Sequence, residues 1–298
     1  MDVLRIEGRR PLSGEVSVGG AKNAALPIFA ATLLTSSPCT IRNVPDLSDI
    51  RFMADLLRRL GAEVEDQGDG VWRIRASSID HTAPYDLVRK MRASVCLMGP
   101  LIGRLRKAVV SLPGGCVIGP RPIDIHLKGL GSIGCSIVVE NGYVHLDGEG
   151  LRGSDIFLGG RHGSTALGTA NLVMAAALAP GTTRIDGAAC EPEIVDLCCM
   201  LVSMGARIEG IGSHALVIEG VTELHGADHT IIPDRIEAGT FLLASAITGG
   251  DVVVRNARSD HLAALLDKLR EAGAVLEVAR DESIRIRSSS VFLKPIDV

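Results

Sequence analysis

The segment Leu60-Gly-Ala-Glu-Val64 (LGAEV) returns in altered form three more times along the chain. The other copies are Ile133–Ile137, Met204–Ile208 and Ala272–Leu276, each with glycine in second place. The four glycines stand at positions 61, 134, 205 and 273, so their spacings are 73, 71 and 68 residues. Self-similarity at a nearly fixed period indicates a repeat architecture. The chain is therefore predicted to contain four copies of one repeat of about 70 residues.

The residues around each glycine predict the structure of one repeat. Asp49–Leu60 has apolar residues at helical spacing, and a glycine directly after such a segment is a helix-end signal. A small-residue apolar helix and a β-type stretch such as Cys39–Arg42 precede it, and short alternating strands such as Val71–Arg75 follow. Each repeat thus reads helix–strand–helix–strand–strand. The predicted fold class is α/β, with the repeats packed around a common core; an α/β solenoid is the alternative.

Composition excludes several classes of function. The chain has 298 residues, enough for two domains or one large one, and its net charge of -4 gives no basic footprint for nucleic acid. The N-terminus has charges where a signal peptide needs an apolar run, and the apolar run Leu172–Ala179 is too short to span a bilayer. Seven cysteines without zinc-type spacing indicate reduced thiols. These features predict a cytoplasmic protein with no metal, membrane or nucleic-acid partner.

The stretch Val18–Pro27 is a candidate anion site. Because proline is tolerated in the first turn of a helix, Pro27 predicts a helix start near Ala24 or Ala25. Gly19 and Gly20 would then form a loop whose free N–H groups, together with Lys22, suit a phosphate or carboxylate. The alternative is a flexible turn with a solvated lysine.

Two further cationic segments point to anionic ligands. Arg89–Ser94 places three positive charges before the apolar helix predicted over Val95–Ile102, where they oppose the helix dipole. In Ser111–Pro122, Cys116 follows two glycines and has Arg121 nearby, which would lower the thiol pKa. The alternatives are solvated charges and a loop cysteine without function.

Two acidic segments have the pattern of helix N-termini. Pro233–Thr240 offers Asp234 as a cap, with Glu237 three residues later, and Cys190–Asp196 has an acidic start of the same kind. For both segments, helix capping is the favoured interpretation.

Taken together, these stretches resemble the enolpyruvyl transferases, in the branch that uses UDP-N-acetylglucosamine. The matching stretches follow the family order and are GAKNAALP, NVPDLSDI, APYDLVRKMRAS, SLPGGCVIGPRPIDIHLKGL, EPEIVDL, IIPDRIEAG and GTFLLASAITGG. The resemblance implies inside-out α/β barrel domains built from six such repeats, of which this chain holds four. Residues 22–232 would form a complete three-repeat domain carrying the Cys116 loop. Residues 1–21 plus 233–298 would form part of a second domain.

The resemblance also implies a reaction. The enolpyruvyl group of phosphoenolpyruvate would move to the 3′-hydroxyl of UDP-N-acetylglucosamine with release of phosphate, without a cofactor. This is the first committed step of peptidoglycan synthesis, and so serves cell wall biogenesis, cell shape and cell division. The epoxide antibiotic fosfomycin would be expected to alkylate Cys116.

The resemblance assigns roles to individual residues. Cys116, Lys22 and Arg121 would be catalytic, and Lys22, Arg92 and Arg121 would bind phosphoenolpyruvate. The residues implied to bind UDP-N-acetylglucosamine are Asn23, Arg121, Pro122, Ile123, Asp124 and Ile125. Further contributions are implied for Arg161, Thr165, Asp234, Arg235 and Glu237.

The chain departs from the family pattern in two ways. Gly163 stands where the family often has a lysine that contacts the diphosphate, and the two repeats that normally supply the catalytic aspartate are not in this chain. A second domain with one repeat of three would expose apolar faces. A truncated paralogue or fragment that only binds the nucleotide sugar is therefore the alternative function. The shikimate-pathway transferase is disfavoured by the Cys116 loop and by EPEIVDL.

Overall fold

A computed structural model describes residues 3–5, 7–8, 10–83, 88, 91–112, 123–160, 163–288 and 293–297. Up to the end of the second repeat, the elements are β1 (Ser13–Ser17), α1 (Lys22–Ala31) with a 3₁₀ turn (Thr32–Leu34), β2 (Cys39–Arg42), α2 (Ser48–Arg59), β3 (Glu63–Asp66), β4 (Trp72–Arg75), a 3₁₀ segment (Arg92–Leu97), α3 (Met98–Leu105), β5 (Lys107–Ser111), α4 (Asp124–Ser132), β6 (Ser136–Glu140) and β7 (Tyr143–Asp147).

The remaining elements are β8 (Asp155–Phe157), α5 (Ala166–Ala176), β9 (Thr182–Asp186), α6 (Pro192–Ser203), β10 (Arg207–Glu209), β11 (Ala215–Glu219), β12 (Asp228–Thr230), α7 (Arg235–Thr248), β13 (Asp251–Arg255), a 3₁₀ turn (Ser259–Leu262), α8 (Ala263–Glu271), β14 (Val275–Val278) and β15 (Ile284–Arg287). The predicted helix–strand–helix–strand–strand order is confirmed in all four repeats.

The recurring glycine has the same conformation in every repeat. Gly61, Gly134, Gly205 and Gly273 have φ of 102°, 93°, 102° and 101°, the left-handed region in which glycine is not strained. After α2, the N–H of Gly61 donates to the Arg58 carbonyl and the N–H of Ala62 donates to the Leu57 carbonyl. The donor–acceptor distance is 3.0 Å in both hydrogen bonds. Each of the other three glycines, together with the residue after it, makes the equivalent pair of hydrogen bonds. This is the Schellman helix end, and it explains why the motif repeats.

Three of the four repeats also use a strand that lies outside the five predicted elements. The first strand of the repeat pairs in parallel with it: β9 with β8, β2 with β12 and β13 with β1. In the second repeat the parallel partner is a single bridge from Thr82 to Val109. The sheet orders are β12-β2-β4-β3, β5-β7-β6, β10-β11-β9-β8 and β1-β13-β15-β14. Each of these orders is open, so the described strands form separate sheets rather than one closed barrel.

Two of these extra strands are exchanged along the chain. β1 precedes the first repeat but pairs with the fourth, whereas β12 precedes the fourth repeat but pairs with the first. The chain accordingly divides into two compact units, a small unit (1–21 and 233–298) and a large unit (22–232). The assignment of a complete family domain and a partial one to these ranges stays a prediction.

A bidentate ion pair fixes the exchanged strand β12 to β2 and leads to a testable pH effect. Arg42 Nε and Nη2 lie 2.8 and 2.7 Å from the two carboxylate oxygens of Asp228. These hydrogen bonds lower the pKa of Asp228 from its ordinary value of 3.8. A carboxylate with a lowered folded-state pKa contributes stability above its unfolded-state pKa, and that contribution is lost as the pH falls through the folded-state value.

We therefore expect Asp228→Asn to flatten the acid dependence of stability. Between about pH 4 and pH 2, the free energy of unfolding should fall more steeply for the wild type than for the variant, because only the wild type takes up this proton on unfolding. Urea unfolding at several pH values measures both slopes. Equal slopes would show that the pair contributes nothing, as is common for exposed ion pairs.

Three parallel inner helices form the centre of the large unit: α1 with its 3₁₀ turn, Arg92–Leu97 with α3, and α5. Every residue from Ala24 to Ala31 and from Gly168 to Ala176 is buried. α1 contacts both the Arg92–Leu97 segment and α5, and α3 contacts α5. The first and third repeats therefore touch each other, which a linear solenoid would not allow; the solenoid alternative is wrong.

The carboxyl ends of the three inner helices meet. Arg104 Nη1 donates to the carbonyls of Leu33 (2.8 Å) and Thr35 (2.9 Å), where the first inner helix ends. Arg106 Nη2 donates to the Leu178 carbonyl at 2.8 Å, just beyond α5. Burial lowers the pKa of both arginines, although the helix carbonyls accept their hydrogen bonds. Since the helices have similar lengths, their amino ends must also lie together, at the opposite end of the bundle.

The corresponding helix of the small unit, α7, is buried on one side only. Ile236, Leu243 and Ile247 are 52%, 45% and 69% exposed and recur at helical spacing, while Leu242 and Ala246 lie in the core with Val254 and Ile284. The small unit thus exposes an apolar face of α7. The corresponding helices of the large unit, α1 and α5, have their apolar faces buried within that unit. Within the described ranges, every helix is too short or too polar to be a candidate for crossing a membrane.

Candidate functional site

The predicted ligand residues of the large unit lie at the amino ends of its helices. Lys22 is the first residue of α1, Arg92 begins the 3₁₀ segment before α3, and Thr165 is the N-cap residue of α5. Because the inner helices are parallel, these three positions share one end of the bundle. Helix amino ends present unpaired N–H groups and a positive dipole end, so this end of the large unit favours anions.

The predicted start of α1 was wrong. The helix begins at Lys22 rather than at Ala24 or Ala25, and Pro27 lies inside it. Proline removes the hydrogen bond to the carbonyl four residues earlier, which here belongs to Asn23 in the first turn. Only one bond near the helix end is affected, so the helix tolerates Pro27. As a consequence, Lys22 and Asn23 belong to the helix end itself.

Lys22 is held by a carboxylate from the next helix. Its Nζ lies 3.0 Å from Asp49 Oδ2, and both side chains are about one-third exposed. An ammonium at a helix amino end opposes the dipole, and Asp49 in the first turn of α2 offsets this repulsion. Asn23, the next residue, is exposed. Asp49 belongs to the motif NVPDLSDI, but the sequence assigned it no role of its own.

The segment Ile123–Ile125 lies at the amino end of α4. Ile123 is buried, Asp124 is exposed and Ile125 is half-buried. Ile125 packs so closely on Gly160 that an added Cβ there would clash with its Cδ1 atom. The N–H of Gly160 also donates to the Gly163 carbonyl at 2.9 Å. The predicted uracil-contacting segment and the loop before α5 are therefore neighbours.

Gly163 has a backbone conformation suited to glycine. Its φ is 92°, which disfavours the lysine that the family often has at this position. Two residues later, Thr165 Oγ1 accepts a hydrogen bond from the Gly168 N–H at 3.3 Å. Thr165 is thus an N-cap of α5, and its ligand-binding role stays a prediction.

Several predicted site residues lie outside the described part of the chain. They are Cys116, Arg121, Pro122, Arg161 and the side chain of Arg92. Their assigned roles stay predictions.

In the small unit, the predicted acidic residues fix a helix end and a loop. Asp234 caps α7 by accepting from the N–H groups of Ile236 (2.8 Å) and Glu237 (3.1 Å), so the capping interpretation is confirmed for Pro233–Thr240. For Cys190–Asp196 in the large unit it was wrong, because the N-cap residue Glu191 makes no side-chain capping hydrogen bond to α6. The Glu237 carboxylate accepts from the Gly19 N–H at 3.0 Å. The expectation of a free Gly19 N–H for an anion was therefore wrong, because a carboxylate of the same unit already occupies it. Arg235 is half-buried at the first position of α7.

Five cysteines in the described part of the chain have thiol pKa values above the ordinary value. Burial raises the pKa of Cys135 to about 11 and that of Cys198 to about 12. Burial also raises the pKa of Cys39, Cys190 and Cys199. Since the thiolate is the reactive form, these side chains should react slowly with alkylating agents at neutral pH. Alkylation of Cys116 can therefore be measured with little contribution from these five cysteines.

Solved structures with the same fold define the class of protein. An enolpyruvyl transferase, NikO from Streptomyces tendae, matches with a TM-score of 0.83 and 25% identity over 95% of this chain and 67% of that one. The EPSP synthase of Acinetobacter baumannii matches with a TM-score of 0.71 and 19% identity over 95% of this chain and 66% of that one. The repeat architecture is therefore the enolpyruvyl transferase fold, as predicted.

Sequence comparisons narrow the class further. The family model EPSP synthase (3-phosphoshikimate 1-carboxyvinyltransferase) matches residues 6–298. Proteins from Methylacidiphilum infernorum, Akkermansia muciniphila and Desulfosudis oleivorans are 53%, 48% and 50% identical over 97%, 93% and 100% of this chain. All three are named UDP-N-acetylglucosamine 1-carboxyvinyltransferase, and the chain spans 68%, 65% and 70% of their lengths. The chain belongs to this family of transferases.

Proposed function

We propose that this chain transfers the enolpyruvyl group of phosphoenolpyruvate to the 3′-hydroxyl of UDP-N-acetylglucosamine and releases phosphate. The observation that carries the proposal is the identity of about 50% to three relatives that share this name. The structures of the shikimate-type enzyme, at 19% identity, share the fold but give no reason to prefer shikimate 3-phosphate as the acceptor.

Electrostatics of the large unit support the binding of two anionic substrates. Phosphoenolpyruvate carries a phosphate and a carboxylate, and UDP-N-acetylglucosamine carries a diphosphate. The shared amino end of the inner helices, with Lys22 at its rim, is suited to such groups. In the proposal Lys22, Arg92 and Arg121 hold phosphoenolpyruvate through charge-assisted hydrogen bonds.

The remaining roles follow the family pattern. Cys116 protonates the enol carbon or forms an adduct with it, and the reaction proceeds by addition and elimination through a tetrahedral intermediate. Asn23 contacts the sugar and residues 121–125 contact the uracil, while Arg161 and Thr165 lie near the diphosphate. Asp234, Arg235 and Glu237 are further proposed site residues.

The proposed cellular role is the first committed step of peptidoglycan synthesis in the cytoplasm. It links the chain to cell wall biogenesis, cell shape and cell division, and makes Cys116 a target of fosfomycin. The proposed substrates are small molecules, and the proposed reaction needs no cofactor.

A second candidate is binding of the nucleotide sugar without turnover. It is favoured by the length of the match, because the chain spans only about two thirds of its relatives. In this candidate the chain binds the nucleotide sugar but does not supply the aspartate that deprotonates the acceptor hydroxyl in the family.

Phosphate release separates the two candidates. The 298-residue chain is mixed with both substrates beside a Cys116→Ala variant, and shikimate 3-phosphate replaces the nucleotide sugar in a third arm. Release by the wild type that the variant loses supports the transferase. UDP-N-acetylglucosamine binding without release supports the second candidate, while release only with shikimate 3-phosphate contradicts both.

A further inference from the structure

Asn171 is a fully buried polar residue in the apolar helix α5, and it bonds to three other segments of the large unit. Its Oδ1 accepts from the Gly99 N–H at 2.7 Å, and its Nδ2 lies 2.9 Å from the Val95 carbonyl oxygen and 3.0 Å from His126 Nδ1. We infer that Asn171 is a positioning residue that sets the orientation of two ligand-binding segments, the turn that begins at Arg92 and the amino end of α4. The inference rests on the proposed function.

The first part of the argument concerns the helix ladder. Val95 and Gly99 are four residues apart, so in a regular α-helix the carbonyl of Val95 would accept from the N–H of Gly99. Instead, the side-chain amide of Asn171 lies between them: its Oδ1 accepts from the Gly99 N–H, and its Nδ2 donates to the Val95 carbonyl. Insertion of a side chain into the ladder is a known cause of a break in a helix. Here the Arg92–Leu97 segment is 3₁₀ and the α-helix starts only at Met98.

Close packing keeps this bridge in place. A Cβ at Gly99 would lie well under 3.0 Å from the Asn171 carbonyl oxygen, so α3 and α5 approach each other backbone to backbone. The amide therefore has little freedom to move, and the direction of the Arg92–Leu97 segment depends on it.

The second part concerns His126 in α4. The Gly99 N–H can only donate and the Val95 carbonyl can only accept, so they fix which end of the Asn171 amide is the NH₂ group. This NH₂ group faces His126 Nδ1, which must then be an acceptor. The contact selects the neutral imidazole with its proton on Nε2. His126 is nearly fully buried and follows Asp124 by two residues, so the bond orients the start of α4.

A purely structural role predicts a different result. Removing one partner of a buried hydrogen bond leaves the other unsatisfied and destabilises the fold, so a purely structural role predicts lower stability with unchanged ligand affinity in the folded protein. Thr169 offers a matched control, because it is also fully buried in α5 and its Oγ1 accepts from the Ala189 N–H at 3.0 Å. Neither partner of that bond belongs to the two ligand-binding segments.

The test compares Asn171→Leu and Thr169→Val with the wild-type 298-residue chain. Calorimetric titration with phosphoenolpyruvate and with UDP-N-acetylglucosamine should show affinity reduced about tenfold or more by Asn171→Leu, because small displacements of binding groups are costly. Thr169→Val should change affinity less than about twofold, since it leaves both segments in place. Wild-type affinity in a folded Asn171→Leu variant overturns the inference.

A second variant and a spectroscopic measurement keep the test independent of folding and of the proposed function. Asn171→Asp has the same shape but no NH₂ group to donate to His126 Nδ1. The ring ¹⁵N chemical shifts of His126 should show the tautomer protonated on Nε2 in the wild type and should change in this variant. Amide exchange at residues 92–99 should accelerate in both Asn171 variants. If the wild type binds neither ligand, the proposed function fails, while unchanged ring shifts and exchange in the variants would separately overturn the inference.

Discussion

Gly134→Ala is expected to lower the free energy of unfolding by about 2 to 5 kcal/mol. The variant meets two obstacles at once. The backbone of Gly134 has φ of 93°, where an L-residue is strained by about 1 to 2 kcal/mol. In addition, the new Cβ would lie far inside 3.0 Å from the Gly150 carbonyl oxygen. A backbone atom cannot move aside as a side chain can, so the overpacking should add about 1 to 3 kcal/mol.

Gly205→Ala is the matched control for this prediction. Gly205 has φ of 102° and ends its helix with the same pair of hydrogen bonds. The atom nearest to a Cβ added at Gly205 is His225 Nε2 at 3.2 Å, the end of a side chain that can rotate away. This variant should therefore show only the backbone strain, about 1 to 2 kcal/mol. Urea unfolding of both variants measures the difference, and equal losses would mean that the Gly150 carbonyl plays no part.

The same glycine shows why the repeat could be predicted from the sequence. A Schellman helix end is a local structure, so the pattern LGA after an amphipathic helix carries its own signal. Strands such as Cys39–Arg42 were predicted within a residue of their observed ends for a similar reason, since alternation is visible in a short window. The three-residue strands β8 and β12 were not predicted. They exist only through parallel pairing with distant segments, and that pairing leaves little trace in three residues.

For the candidate site, the sequence supplied motifs, and the ligand-binding roles of their residues stay predictions. Lys22, Asn23 and Asp124 came from motifs, and the structure places them at helix ends of the large unit. The partners that hold such residues were not found. Asp49 looks like any acid in a first helical turn, and Asn171 is one polar residue in an apolar helix. A buried asparagine needs partners, but the sequence does not say which ones.

Lys22→Gln is expected to weaken phosphoenolpyruvate binding by about 10- to 100-fold. A hydrogen bond to a charged group contributes about 1.5 to 3 kcal/mol, and each 1.4 kcal/mol corresponds to a factor of ten in affinity. Loss of folding is not expected to account for the effect, because removing a positive charge from the amino end of α1 relieves its repulsion with the helix dipole.

Lys128→Gln is the matched control for Lys22→Gln. Lys128 Nζ donates to the Phe157 carbonyl at 2.9 Å, so the same substitution removes one charge elsewhere in the large unit. Calorimetric titration at two salt concentrations should show weaker phosphoenolpyruvate binding and a smaller salt dependence for Lys22→Gln alone. Asp49→Asn should have a smaller effect than Lys22→Gln, since the ammonium stays in place with a neutral partner. If Lys22→Gln bound phosphoenolpyruvate as tightly as Lys128→Gln, Lys22 would be a helix-end residue paired with Asp49 and not a phosphate ligand.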